Sequence, residues 1–234
     1  MDEIPQRVLV VTPHPDDAEG WCGGTIAAWI KQDVEVHYVL CTDGGKGTRD
    51  RQITSQQLAA TREQEQRDAA RVLGVKEVVE LHHPDGELED NQDFRREIVR
   101  QIRSVRPDVV MCPEPYRRNL AWHRDHRITG QITLDAVFPA ARDHLHFVEL
   151  WRDEGLEPHK TATVLLWGTE QADTRIDITD VLDIKIKAVM AHRSQMTGRS
   201  DQEIADFVKE RAKEAGAGEG YIYAEAFRKV TFRV

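Results

Sequence analysis

Residues 7–12 read Arg-Val-Leu-Val-Val-Thr, an apolar run rich in valine. Consecutive apolar residues place side chains on both faces of a strand, so both faces must be covered. This is the requirement of a strand inside a parallel sheet with helices packed on either side. The rest of the chain repeats the theme. Helical patterns are predicted over Gly20–Gln32, Ser55–Leu73, Phe94–Val105, His123–Val137, Asp180–Ala191 and Asp201–Glu214. Strands are predicted over Val34–Cys41, Glu77–Leu81, Asp108–Cys112, Thr163–Trp167 and Arg175–Ile178, with extended structure over Tyr221–Phe227. Ser55 reads as a helix cap and Gly74 as a C-terminal stop. The expectation is an α/β fold: a Rossmann-like, mostly parallel sheet flanked by helices, forming one domain over residues 1–234. Gly216–Gly220 is a local flexible stretch, not an interdomain linker.

Composition removes several classes of function. Lys plus Arg is 32 and Asp plus Glu is 41, a formal net charge of −9, and basic residues form no block longer than a pair. A nucleic-acid or anionic-membrane partner is therefore not expected. No run approaches a membrane span, and the acidic start Met1-Asp2-Glu3 lacks the basic opening of a signal peptide. Cys22, Cys41 and Cys112 are odd in number and far apart, as expected for buried thiols in a reducing compartment. A cytoplasmic protein is expected.

Ligands of such sheets bind at the carboxyl ends of the strands. The loop after the first strand is Pro13-His14-Pro15-Asp16-Asp17, with none of the glycines of a dinucleotide fingerprint and two carboxylates that would repel a pyrophosphate. Gly44-Gly45-Lys46-Gly47-Thr48 lacks the hydroxyl residue that a P-loop places directly after its lysine, and no G-x-S-x-G elbow is present. What the first loop does hold is metal chemistry. Two prolines stiffen the backbone about His14, and His14 and Asp17 are spaced to converge on one ion, leaving Asp16 as a free carboxylate beside it. An Asp-Asp turn is also a common helix cap. The second segment is Trp122-His123-Arg124-Asp125-His126-Arg127, after the fourth strand. His123 and His126 share a helix face, so one can ligate while the other faces substrate.

Two histidines and one carboxylate with an open position suit catalytic zinc, which polarises a carbonyl and lowers the pKa of water. Asp16 can take that water's proton. His123, if protonated, can stabilise an oxyanion, and Asp125 can hold His123 in its charged form. The set serves the hydrolysis of an amide.

His14-Pro15-Asp16-Asp17-Ala18-Glu19 with Gly23-Gly24-Thr25 resembles the opening motif of the LmbE/PIG-L-like zinc-dependent N-acetylglucosamine de-N-acetylases. The resemblance extends through Arg62-Glu63-Gln64-Glu65, Leu73-Gly74-Val75, Pro84-Asp85-Gly86, His123-Arg124-Asp125-His126 and the late segment with Lys187, His192, Ser194 and Gln195. It implies His14, Asp17 and His126 as ligands of one Zn2+ per chain, with Fe2+, Co2+ or Mn2+ as substitutes. It implies Asp16 as general base, His123 as the partner of the tetrahedral intermediate and Asp125 as its support. Arg62, Asp85 and His192 are implied as substrate contacts. The implied reaction removes acetate from an N-acetylglucosamine-containing small molecule, whose other half varies in the family among inositol, malate, phosphatidylinositol and another sugar. The stretches Thr42–Thr54 and Phe138–His159 are the expected makers of that variable pocket. The resemblance also implies a homo-oligomer, trimer or hexamer. Two other readings of the same residues are a non-catalytic metal- or sugar-binding protein and a non-haem iron oxygenase, whose facial triad uses the same donors.

Overall fold

The computed structural model describes residues 4–118 and 122–233. Residues 1–3 of the acidic start and 119–121 of the loop expected over Pro113–Trp122 lie outside the described residues. The expected alternation is present: β1 (Arg7–Thr12), α1 (Asp17–Ile30), β2 (Glu35–Thr42), α2 (Ser55–Leu73), β3 (Glu77–His83), α3 (Gln92–Val105), β4 (Val109–Pro113), α4 (Arg124–Asp135), α5 (Val148–Arg152), β5 (Thr163–Trp167), β6 (Thr174–Asp177), α6 (Leu182–Met190), α7 (Asp201–Gly216) and β7 (Ala224–Thr231). One seven-stranded sheet has the order β3-β2-β1-β4-β5-β7-β6. The pairs from β3 to β5 are parallel, β7 runs antiparallel to β5, and β6 runs antiparallel to β7. The chain winds outward from β1 to β3, then returns to place β4 on the other side of β1. A crevice therefore opens between the loops that follow β1 and β4, the switch point at which α/β sheets bind ligands.

Val8 and Val10 pack into a core beneath α1, α6 and α7, whereas Leu9 and Val11 pack into a second core beneath α3 and α4. These residues are fully buried, as a strand covered on both faces requires. All three cysteines are buried and unpaired. Among the described residues no helix is long and apolar enough to cross a membrane.

Local chemistry shifts several boundaries. α1 begins at Asp17, because Asp16 adopts a left-handed N-cap conformation with φ 95°. α2 is capped by Thr54 rather than Ser55, in a reciprocal capping box with Gln57, and Gly74 ends it at φ 88°. His123 is the N-cap of α4, its side chain accepting from the Asp125 N–H. The stretch Phe138–His159, expected as a variable loop, contains α5 and is held from behind by buried Arg103. That guanidinium donates to the carbonyls of Ala140, Ala141, Asp143, His146 and Phe147.

Candidate metal centre and active site

Four loops at the carboxyl edge of the sheet meet around His14. Prolines on both sides restrict its backbone, and the Asp17 carboxylate accepts its backbone N–H at 3.1 Å. The same Asp17 oxygen lies 3.1 Å from His14 Nδ1 and 3.1 Å from His126 Nε2. The other ring nitrogen, His14 Nε2, faces two carboxylates at 3.2 Å, Asp85 on the β3–α3 loop and Asp125 at the start of α4. Asp125 is fully buried and also accepts the backbone N–H groups of Gly86 (2.6 Å) and Leu88 (3.3 Å). Asp85 accepts from Lys46 N, while Asp43 accepts from Asp85 N and Gly45 N, tying the loops after β2 and β3 together.

The donor set fits a divalent ion. One atom from each of His14, Asp17 and His126 lies within 4.8 Å of the others. A tetrahedral ion with bonds of about 2.0 Å holds its ligands about 3.3 Å apart, close to the spacing at the shared Asp17 oxygen. Two carboxylates on Nε2 fix that nitrogen as the N–H donor, which would leave the Nδ1 lone pair available to an ion.

The electrostatics follow from this crowding. Burial would lower the His14 pKa, but hydrogen bonds to Asp125, Asp17 and Asp85 outweigh it and push it up to about 11. Burial would raise Asp17, yet His126 and His14 hold it well below the usual carboxylate range. Metal binding must therefore displace a proton from His14. Burial raises Asp16 to about 6, helped by repulsion from Asp17 and opposed by the charge of Arg62.

Asp16 has one oxygen 3.3 Å from Arg62 Nη2. Its other oxygen accepts no hydrogen bond among the described residues. His123 stands edge-on to His14, ring centroids 4.6 Å apart, and its Nδ1 accepts the Asp125 N–H at 3.2 Å. The Asp125 carboxylate is directed at His14, not at His123, and burial together with the neighbouring His14 lowers the His123 pKa. A neutral His123 would carry its proton on Nε2, because Nδ1 accepts the Asp125 N–H.

The three expected substrate contacts are also engaged by protein. Arg62 donates to Pro15 O (2.5 Å) and Gly44 O (2.9 Å) as well as to Asp16, so it holds the first loop in shape. Asp85 is spent on His14 and Lys46 N. His192 is fully buried, its Nε2 3.2 Å from Glu19. Behind Asp16 runs a chain the sequence reading missed: His192 to Glu19, Glu19 to Gln66 Nε2 (2.9 Å), and Gln66 Oε1 to Asp16 N (3.3 Å). Its one sequence signal is that Gln66 lies one helical turn after Arg62 on a helix that buries both.

The family model for GlcNAc-PI de-N-acetylases (PIG-L) matches residues 9–137, more than half of the chain and both halves of this centre. The chain belongs to the PIG-L family. A diacetylchitobiose deacetylase of Thermococcus kodakarensis is 34% identical over 225 residues, spanning 96% of this PIG-L chain and 83% of that protein. The solved N,N'-diacetylchitobiose deacetylase from Pyrococcus horikoshii superposes with a TM-score of 0.89 at 34% identity, covering 97% of this chain and 84% of that one. A probable N-acetyl-alpha-D-glucosaminyl L-malate deacetylase 2 of Bacillus anthracis is 32% identical over 137 residues, 56% of this chain and 59% of that protein.

Proposed function

We propose that this PIG-L-family chain is a zinc-dependent N-deacetylase that hydrolyses the acetamide of an N-acetylglucosamine-containing small molecule, releasing acetate and the free amine. The observation that carries the reading is the meeting of His14, Asp17 and His126 at one carboxylate oxygen, with the unpartnered Asp16 oxygen beside it. The two relatives at 34% identity, which match nearly all of the chain, are diacetylchitobiose deacetylases, which supports the same chemistry. Mixed nitrogen and oxygen donors also accept Fe2+, Co2+ or Mn2+, so zinc is assigned as the borderline ion such sites favour.

The ion held by His14, Asp17 and His126 would supply Lewis acidity toward the acetamide oxygen and lower the pKa of a water. The remaining work falls to the chain. The free oxygen of Asp16 accepts a proton from water as its oxygen adds to the acyl carbon. Arg62 pins the opposite oxygen, so the carboxylate is oriented before substrate arrives. Neutral His123 donates from Nε2 to the developing oxyanion, its tautomer set by the Asp125 N–H on Nδ1. The C–N bond then breaks, and the proton held on Asp16 passes to the leaving amine. Asp85 and Asp125 act through His14, keeping its ring turned for ligation.

The test is acetate release by zinc-loaded protein from a panel of N-acetylglucosamine conjugates, with Asp16→Asn as control. Release from at least one conjugate, reduced by a factor of about 100 or more in the variant, supports the reading. Equal release by both proteins removes Asp16 from the mechanism. Metal and sugar binding without any release would make the chain a binding protein.

A further inference from the structure

Beside Asp16 and Asp17 opens a cavity of about 200 Å3, whose far wall is built from α7 and the turn before it. Two guanidinium groups stand there on aromatic faces. Arg211 lies 4.2 Å from the centroid of Trp21 and 5.7 Å from that of Phe207, and Arg199 lies 5.6 Å from that of Phe207. Neither makes a side-chain hydrogen bond or ion pair among the described residues. The chain has a net charge of −9, yet these two guanidinium groups share one cavity with no carboxylate partner among the described residues. The carboxylate best placed to neutralise Arg211 is Glu225, but it is already committed. It accepts the N–H groups of Gly24 (2.9 Å) and Thr25 (2.7 Å) and pairs with Lys185. Burial lowers the Arg211 pKa, the mark of a charge held with too little compensation. Stacking occupies a guanidinium's face and leaves its edge donors free, an arrangement that matches an oxyanion.

Space is kept at the same place. Gly20 is in the first turn of α1, and a Cβ there would meet nothing within 4 Å. A second cavity of about 120 Å3 adjoins through Gly20, Trp21, Lys185 and Arg211. The opening therefore runs from Asp16 and Asp17 to a wall that carries two arginines.

We propose that this cavity receives the half of the substrate beyond the N-acetylglucosamine ring, and that this half carries an anionic group, a carboxylate or a phosphate, bound by Arg199 and Arg211. The proposal rests on the deacetylase reading for the placement of the sugar. It predicts a preference for acidic conjugates over neutral ones.

Calorimetric titration of zinc-loaded Asp16→Asn protein, in which hydrolysis does not deplete the ligand, tests it. The probes are N-acetylglucosamine 1-phosphate, N-acetylglucosaminyl malate and the neutral methyl glycoside of N-acetylglucosamine. At least one acidic probe is expected to bind tenfold or more tightly than the glycoside, with the advantage shrinking as salt rises. The tighter acidic probe distinguishes phosphate from carboxylate. Adding Arg211→Gln, or Arg199→Gln at an exposed position should the first variant melt early, is expected to remove most of the advantage, and Arg211→Lys to retain part. Gly20→Leu, which fills the cavity, is expected to weaken both acidic probes. Equal affinity for all probes, or a preference that survives both glutamine variants, overturns the proposal. An acidic preference without acetate release from any probe by the wild-type protein would retain the cavity and reject the deacetylase reading. Acetate release without the preference would do the reverse.

Discussion

Replacing Asp125 by asparagine tests whether the residues behind the ligands set the metal affinity. The carboxylate accepts three hydrogen bonds in a fully buried position, from His14 Nε2 at 3.2 Å, Gly86 N at 2.6 Å and Leu88 N at 3.3 Å. An amide of the same shape supplies one acceptor oxygen and an NH2 that must face one of these donors. At least one charge-assisted bond is lost and one buried donor is left unmatched, a cost of about 3 kcal/mol. In a chain of this size each kcal/mol lowers the melting temperature by about 2–4 °C, so the variant should melt about 6–12 °C below wild type. The His14 ring also loses the partner that fixes its tautomer. Metal affinity should fall about 10- to 100-fold, the usual effect of removing such a partner. Chelator competition gives the affinity, and melting of the metal-free and metal-loaded protein separates fold from site. A variant that binds metal within twofold of wild type would show that Asp85 alone orients His14 and that Asp125 does not set the affinity.

Other outcomes follow from the same contacts. Asp16 has a pKa raised to about 6 from 3.8, so the folded chain holds that proton more tightly than the unfolded one, and ionising it costs stability as pH rises across that window. Activity that uses Asp16 as base should therefore rise with pH along a limb no higher than about 6, since bound metal can only lower it. Arg62→Gln should move that limb upward by about one pH unit or more, read from kcat/KM against pH. For His192, burial lowers the pKa but the bond to Glu19 raises it further, and the net shift is upward. Its stabilising contribution is present below 6.5 and is lost as pH rises through the folded value, so denaturant melts at pH 6 and pH 9 should show a loss that His192→Gln abolishes. A Cβ on Gly130 would come 2.3 Å from the Pro113 carbonyl oxygen, so Gly130→Ala should force α4 outward, cost about 1–3 kcal/mol and weaken metal binding through Asp125 and His126. An unchanged melting temperature in that variant would contradict this close approach.

The strands buried on both faces were legible because their residues are apolar without alternation, and that pattern admits few other environments. The site's place was legible for the same reason, since it follows from strand order and from the loops that carry His14 and His126. The position of β7 was not. Tyr221–Phe227 reads as extended, but nothing in its residues says that the paired strand is Ala224–Thr231, inserted between β5 and β6. α5 was missed because five residues carry too little helical period, and the segment's order comes from the distant Arg103. The direction of the Asp125 carboxylate was hidden as well. It is decided by the N–H groups of Gly86 and Leu88 on another loop, which no spacing within His123-Arg124-Asp125-His126 encodes. Arg62 and His192 were legible as unusual residues but not as buried supports of Asp16.

The most direct test of the central claim is a zinc titration of metal-free protein in which bound metal and acetate release are read together. Acetate release from an N-acetylated amino sugar is expected to rise in proportion to bound zinc and to stop at one ion per chain, and Asp17→Asn to abolish both. Full acetate release by the metal-free protein, or zinc binding that survives Asp17→Asn with activity intact, would contradict it.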